Sequence, residues 1–270
     1  MKIDVLISTM NIYTEEENHE LINKMNVRTS SITISQVEKN ENKEISNSKN
    51  KLFLYKEKGL SKSRNRAINK SEADICVIAD DDIEYVDNYE EIIKQAYEKN
   101  IDADAIIFKI DDRNEERKTS PIRKNRINII DTMRVSSNQI TFKRNSILKK
   151  IKFDEEFGSG SKYFFGEDAI MIRDAIKEKL KVIYIDELIC IKPKNESSWF
   201  KGYNKEYFIS KGAIFYRISS TLCFLLILQF AIRKRKKYKE NLRINEAIKY
   251  MKKGAKEYRD CKKKLNYSKK

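Results

Sequence analysis

The sequence predicts an α/β protein with a mostly parallel sheet, helices on both faces of the sheet, and a helical, basic C-terminal extension. Short apolar runs alternate with helical segments over the first two hundred residues, which is typical of parallel sheets covered on both faces. The charge is uneven, because residues 1–200 have a formal net charge of −1 and residues 201–270 have one of +16. We therefore predict two domains, 1–200 and 201–270, and expect the basic region to have its own binding partner.

The strands are predicted from short apolar or β-branched runs. Residues 31–37 alternate between polar and apolar side chains, which is typical of a strand. Residues 75–79 are continuously apolar, as expected of a strand that is buried on both faces. The predicted strands are 3–7, 31–37, 52–55, 75–79, 105–108, 138–142 and 182–185.

The helices are predicted from their N-terminal signals and from apolar residues at helical spacing. Thr14 precedes Glu17 by three residues, which predicts a capping box at the first helix. Ser61 is expected to be the N-cap of the second helix. The polar residues 38–50 and the charged residues 111–126 are expected to be loops. The other predicted helices are 86–100, 144–150 and 169–178.

The composition excludes several classes of protein. With seven glycines and two prolines in 270 residues, the chain is neither linker-rich nor disordered. The four cysteines are far apart in sequence, so we expect reduced thiols of a cytoplasmic protein and not a disulfide framework or a zinc site. The first residues lack the apolar run of a signal peptide.

Three carboxylates, Asp80, Asp81 and Asp82, directly follow the predicted strand 75–79. Ligands of open parallel sheets bind at the carboxyl ends of the strands. Adjacent carboxylates repel one another unless a positive charge lies between them, and Mg²⁺ or Mn²⁺ would suit because both prefer oxygen ligands. Since Mg²⁺ is usually bound by one or two carboxylates plus substrate phosphates, the triplet predicts a phosphate-bearing ligand. The alternative for these residues alone is a solvated turn.

Two further motifs accompany the acidic triplet. The run Gly59-Leu60-Ser61-Lys62-Ser63-Arg64-Asn65 places cationic residues at a helix N-terminus, where backbone N–H groups already favour anions. Gly166-Glu167-Asp168 places two carboxylates at another helix N-terminus. Together with a first strand that ends near Thr9, and in this order across residues 1–190, the motifs resemble those of the family 2 glycosyltransferases with the GT-A fold, of the type that makes bacterial polysaccharides.

The resemblance implies roles for the acidic triplet. Asp80 would lie near the ribose or the metal of a nucleotide sugar. Asp82 would bind a Mn²⁺ or Mg²⁺ ion on the diphosphate, and Asp81 would support it. A metal ion across the diphosphate stabilises the leaving group of glycosyl transfer.

The resemblance also implies roles for residues outside the triplet. Arg64 would contact the diphosphate or the base, and Thr9 would line the nucleotide pocket. Gln36 stands about where the family usually has acidic residues that hold the base. Asp168, or alternatively Glu167, would be the general base that takes the proton of the acceptor hydroxyl. One base-activated displacement inverts the anomeric centre, so we expect an inverting transfer to a glycan or a lipid-linked acceptor.

Two other functions remain open at this point. A nucleotidyltransferase acting on sugar phosphates would also be α/β and metal-dependent, but it should have a loop rich in Gly and Arg, which residues 8–13 lack. A nucleic-acid-binding protein is suggested by the net charge of +15. The excess charge is confined to the tail and no zinc-finger, RNP-like or basic-zipper pattern occurs, so we expect no nucleic-acid partner.

The basic tail contains an apolar run, residues 218–232, that is followed by the basic cluster Arg233–Lys237. This run is short for a membrane span, which takes about 20 apolar residues. It suits a helix that lies in the membrane interface with its basic residues on anionic headgroups. We expect peripheral attachment to the inner face of the cell membrane. The alternative is a buried helix that closes the core of the enzyme.

Overall fold

The computed structural model describes residues 1–38, 42–45, 49–113, 127, 131–194, 200 and 202–267. The contacts within the chain divide it into two compact units. The first unit consists of Met1–Glu155 and Glu167–Asn195, and the second consists of Glu156–Gly166 and Glu196–Lys270. The domain boundary at residue 200 stays a prediction.

The first unit is built on a sheet whose longest pairings are parallel. Its strands are β1 Ile3–Met10, β2 Ser30–Gln36, β3 Lys43–Ile45, β4 Asn50–Tyr55, β5 Ile75–Asp80, β6 Glu84–Tyr85, β7 Ala105–Asp112, β8 Ile140–Lys143 and β9 Val182–Lys192. In the described residues the spatial order is β3-β4-β2-β1-β5-β8-β7-β9-β6. The pairs β1–β2, β1–β5, β2–β4 and β7–β9 are parallel, while β3, β6 and β8 pair antiparallel with their neighbours. The predicted mostly parallel sheet is confirmed.

Helices pack on both faces of this sheet, as the sequence predicts. They are α1 Glu15–Lys24, α2 Leu60–Lys70, α3 Tyr89–Lys99, α4 Arg144–Leu148 and α5 Glu167–Lys177. Successive side chains of a strand point to opposite faces. Leu6 of β1 therefore packs in one apolar core with Ala67 of α2 and Met171 of α5. The next residue, Ile7, packs in a second core with Ile93 of α3.

The topology collects polar groups at one edge of the sheet. Strands β2 and β5 both run parallel to β1, and β4 runs parallel to β2. The carboxyl ends of these four strands therefore lie at the same edge. Asp80 is the last residue of β5, and α2 begins shortly after β4 ends. A 3₁₀ turn at Ser137–Gln139 leads into β8, and because β8 is antiparallel to β5, this turn lies beside the end of β5.

One of the two predicted helix caps is present in the structure and the other is not. The capping box of Thr14 and Glu17 is confirmed. The N-cap predicted at Ser61 is wrong, because α2 begins at Leu60 and its N-cap is Gly59, whose φ of 125° favours glycine.

Two predicted loops and one strand also differ from the structure. The loop expected at 38–50 contains β3, which pairs with β4. The loop expected at 111–126 falls largely on residues that the structure does not describe, and its first two residues belong to β7. The strand expected at 182–185 continues to Lys192.

The second unit is helical, as predicted for the C-terminal extension. Its helices are α6 Lys205–Ile218, α7 Cys223–Arg233, α8 Arg235–Tyr238 and α9 Ile244–Tyr267. The backbones of α6 and α9 touch, because a Cβ atom added at Gly212 would lie 1.8 Å from the carbonyl oxygen of Met251. One added at Gly254 would lie 1.9 Å from the carbonyl oxygen of Ile209. In the described part of the chain, none of the helices is long and apolar enough to cross a membrane.

Candidate active site

One buried guanidinium joins the three sequence motifs. Arg64 lies in the second turn of α2, and its side chain is 1% exposed. Its Nη2 donates a hydrogen bond to Oδ1 of Asp80 at 2.8 Å. Its Nη1 donates to Oδ1 of Asp168 at 2.7 Å and to Oε1 of Glu167 at 3.0 Å. These predicted site residues therefore meet around Arg64, whose own contact with a diphosphate or a base stays a prediction.

The residues beside Arg64 fix the position of α2. Ser63 donates a hydrogen bond from its Oγ to Oγ of Ser8 on β1 at 2.8 Å. The side chain of Asn65 accepts from the backbone N–H of Phe153 at 2.8 Å and donates to its carbonyl oxygen at 3.0 Å. The guanidinium of Arg64 lies 5.3 Å from the centroid of the Phe153 ring. The polar residues of the motif thus tie the helix to its surroundings on both sides of Arg64.

The 3₁₀ turn before β8 binds the same carboxylates. The backbone N–H of Ser137 donates to Oδ2 of Asp168 at 3.0 Å, and its hydroxyl donates to Oδ2 of Asp80 at 3.1 Å. Asn138 donates to Oδ2 of Asp80 at 3.2 Å and accepts from the backbone N–H of Asp80 at 2.8 Å. Sequence reasoning missed both residues and assigned Asn138 to a strand. The capping box between Ser136 and Gln139 is the signal that could have indicated a turn.

Three carboxylates share the charge of one guanidinium, and their ionisation differs accordingly. Burial raises the pKa of Asp168 to about 8, the neighbouring carboxylate of Glu167 adds to this rise, and Arg64 opposes it. Burial also raises the pKa of Glu167 against the effect of Arg64. Burial disfavours the ionised form of Asp80 as well, but Arg64 and Lys192 outweigh it and lower the pKa of Asp80. At neutral pH the site therefore keeps Asp80 ionised and favours a proton on the Glu167–Asp168 pair.

A second cation, Lys192, lies against the acidic triplet. Its Nζ donates to Oδ1 of Asp82 at 2.8 Å and lies 3.8 Å from Oδ2 of Asp80. Its side chain is 11% exposed. Sequence reasoning missed Lys192, because the predicted strand stops at Ile185 and nothing in the sequence links the end of this strand to the triplet.

The remaining predicted site residues lie at the same edge of the sheet. The hydroxyl of Thr9 donates to Oδ2 of Asp81 at 2.6 Å, and burial raises the pKa of Asp81. Gln36 is bound at both ends of its amide by the backbone of Gly59, donating at 3.1 Å and accepting at 3.2 Å. Recognition of a base by Gln36 would compete with this pair, and its role, like that of Thr9, stays a prediction.

The carboxylates of Asp82 and Asp80 offer the kind of oxygen ligand that a hard divalent cation prefers. The ammonium of Lys192 is already bound between Asp82 and Asp80, so this position attracts positive charge. Among the residues described, no group of three or more His, Cys, Asp or Glu side chains is arranged to bind a metal. At this position the protein would supply the carboxylates of Asp82 and Asp80, and the phosphates of a substrate would supply further oxygen ligands, as is usual for Mg²⁺. The Mn²⁺ or Mg²⁺ cofactor stays a prediction.

The chain matches the model of a known protein family. A family model described as glycosyl transferase family 2 matches residues 33–180, which is more than half of the chain. The chain belongs to glycosyl transferase family 2. It is therefore a glycosyltransferase, and the matched range contains Arg64, the acidic triplet and the Glu167–Asp168 pair. A search of curated protein sequences found no significant match.

Solved structures support the GT-A fold of this family 2 enzyme. TarS 1–349 of S. aureus in complex with UDP-GlcNAc has a TM-score of 0.60 and 14% sequence identity, with 91% of this chain and 77% of that chain covered. Its complex with UDP has a TM-score of 0.57 and 12% identity, over 91% and 77% of the two chains. A longer TarS chain has a TM-score of 0.59 and 13% identity, with 91% of this chain and 46% of that chain covered.

Replacing Arg64 by Met should lower the free energy of unfolding by about 3–5 kcal/mol at pH 7, because buried carboxylates would lose their counter-ion. Urea unfolding followed by circular dichroism measures the loss. Arg66→Met is the matched control, since Arg66 lies on the same helix, is 42% exposed and pairs with Glu57, so its loss should be about 1 kcal/mol or less. Equal losses for the two variants would contradict a central role of Arg64 in the site.

Proposed function

We propose that this protein is an inverting, metal-dependent glycosyltransferase of polysaccharide synthesis. It moves a sugar from a nucleotide-sugar donor to a hydroxyl group of a glycan or lipid-linked acceptor. The observation that supports this most directly is the joining of Asp168 to Asp80 by Arg64, at 2.7 and 2.8 Å. A candidate base is thereby fixed beside the candidate donor site, which is the arrangement that a single displacement requires.

Asp168 is the proposed general base. A base works best when its pKa lies near the working pH, and burial beside Glu167 raises the pKa of Asp168 to about 8. Its Oδ1 is oriented by Arg64 and its Oδ2 by the backbone of Ser137. Asp168 would remove the proton of the acceptor hydroxyl as the hydroxyl attacks the anomeric carbon. Glu167, which shares Nη1 of Arg64, would keep the pKa of Asp168 high.

The acidic triplet is the proposed site for the donor diphosphate and its metal ion. Asp82 and Asp80 would bind Mn²⁺ or Mg²⁺, which when bound stabilises the negative charge of the leaving diphosphate. Asp81 is held by Thr9 and would keep the end of β5 in place under the nucleotide. The solved complex of TarS with UDP-GlcNAc supports a nucleotide sugar as the donor class for this chain too.

We also propose that the enzyme works on the cytoplasmic face of a membrane with anionic lipids. Four large apolar side chains of the α7 region are exposed: Leu222, Phe224, Leu225 and Ile232, at 51%, 53%, 62% and 67%. The basic cluster Arg233–Lys237 directly follows Ile232 in the sequence, and Lys252 of α9 lies 4.8 Å from the ring of Phe224. Exposed apolar residues beside basic ones are typical of helices that bind anionic membrane surfaces.

Nucleoside diphosphate binding should require both a metal ion and Asp82. Calorimetric titration of UDP with Mn²⁺ should give an affinity that falls by about tenfold or more with a chelator or with Asp82→Ala, because the diphosphate would lose its bridge to the protein. Asp87→Ala is the matched control, since Asp87 is 78% exposed and pairs with Arg28. An affinity that chelator and Asp82→Ala leave unchanged would contradict the proposed metal role.

Asp168→Asn should reduce transfer by about 10²–10⁴-fold and leave nucleotide binding intact, because Asn is nearly isosteric but cannot accept the proton. For the wild-type enzyme, kcat/KM should rise with pH through about 8, since the raised pKa keeps Asp168 protonated below that value. Steady-state assays across pH 6–9 measure both effects. If Asp168→Asn turned over normally and Glu167→Gln did not, the base would be Glu167.

The exposed face of α7 should bind anionic vesicles. We expect the full-length protein to float with phosphatidylglycerol vesicles at low salt and to stay in the dense fraction with phosphatidylcholine. Phe224→Ser with Leu225→Ser should weaken vesicle binding by about tenfold or more, since each buried side chain contributes about 1.5–3 kcal/mol. Ile101→Ser, at an 81% exposed position of the first unit, is the control. Equal flotation of both variants would contradict membrane binding by α7.

A further inference from the structure

The position of Lys192 follows from the path of the chain around the acidic triplet. The short strand β6 begins two residues after Asp82, and in it Glu84 pairs antiparallel with Ile191 of β9. Continuing this register places Lys192 opposite the residue that follows Asp82. The ammonium group is thereby held 2.8 Å from Oδ1 of Asp82 and 3.8 Å from Oδ2 of Asp80.

The two cations of the site are held very differently. Arg64 binds three carboxylates with a planar, rigid guanidinium at 1% exposure. Lys192 is a flexible chain of four methylene groups with a point charge at its end, and its ammonium pairs with Asp82, whose side chain is 34% exposed. A change at the open side of the triplet can therefore move the ammonium of Lys192 without disturbing Arg64.

A divalent ion and the ammonium of Lys192 cannot both occupy the position between Asp82 and Asp80, since two positive charges would compete for the same carboxylate oxygens. We propose that Lys192 occupies the cation position in the free enzyme and is displaced when metal and donor bind together. The released ammonium then pairs with the donor diphosphate. This inference rests on the proposed function.

The competition has a consequence that can be measured without any transfer reaction. In the free enzyme the partly buried ion pair of Lys192 with Asp82 must break before a metal ion binds, so Mn²⁺ alone binds weakly. With a nucleoside diphosphate present, the ammonium gains new phosphate partners and the cost of displacing it falls. Metal and nucleotide therefore bind cooperatively, and Lys192 is the source of part of that cooperativity.

The test is Mn²⁺ binding followed by electron paramagnetic resonance, with and without UDP. For the wild type we expect UDP to increase the Mn²⁺ affinity by about tenfold or more. Lys192→Met removes the charge but keeps most of the stem, so Mn²⁺ alone should bind about tenfold more tightly than to the wild type. The UDP affinity at saturating Mn²⁺ should fall in the same variant. Lys192→Arg, which keeps the charge, should retain weak binding of Mn²⁺ alone.

The control is Lys94→Met, because Lys94 forms a partly exposed pair with Glu90 on helix α3 and should change neither affinity. If Lys192→Met bound Mn²⁺ no more tightly than the wild type, the competition would be disproved, and a purely structural lysine would give that result. Lys192→Gln is the second neutral variant in case the Met variant does not fold. A wild type that binds Mn²⁺ equally well with and without UDP would also overturn the inference, independently of any variant.

The same experiment separates this inference from the proposed function. If the wild type bound UDP without any requirement for Mn²⁺, then Lys192 would be a permanent counter-ion, and both the metal proposal and the displacement would fail. If UDP binding required Mn²⁺ but Lys192→Met changed neither affinity, the proposed function would stand and only the displacement would fail.

Discussion

The ion pairs between the buried Arg64 and three carboxylates of low exposure are the interaction that organises the whole site. The carboxylates come from elements other than the helix of Arg64: Asp80 lies at the end of β5, and Glu167 and Asp168 lie at the start of α5. Burying these charges without a counter-ion would cost several kcal/mol per ion. The guanidinium thus sets where α2, α5 and the end of β5 lie relative to one another.

The same interaction gives the carboxylates different protonation behaviour. Burial raises the pKa values of Glu167 and Asp168 more than Arg64 lowers them. Burial acts on Asp80 in the same direction, but Arg64 and Lys192 outweigh it, so the pKa of Asp80 is lowered and Asp80 stays ionised. Lys192 adds a second, more easily displaced cation beside Asp82. A rigid arginine under the candidate base and a flexible lysine at the candidate metal site suit two different tasks, orientation and exchange.

The sequence was sufficient for the parts of the structure that depend on local pattern. The parallel strands, the capping box at Thr14 and the three motifs could all be predicted, because strand and helix periods and turn signals are local. The contacts of Ser137, Asn138 and Lys192 could not. They depend on the antiparallel pairing of β8 with β5 and on the pairing of the end of β9 with β6, and such pairings between distant segments have no local signature. The N-cap is Gly59 and not Ser61, because the backbone at the start of α2 has a positive φ, which favours glycine.

The balance of burial and neighbouring charges separates the pKa values of Asp80 and Asp168, and this difference can be measured residue by residue. The experiment is a ¹³C NMR titration of protein labelled at the Asp side-chain carboxyl, with the signals of Asp168 and Asp80 assigned by comparison with variants that lack them. We expect Asp168 to titrate near pH 8 and Asp80 to titrate below its usual value. Titration of both residues together near the ordinary Asp value of about 3.9 would contradict the role of Arg64 described above.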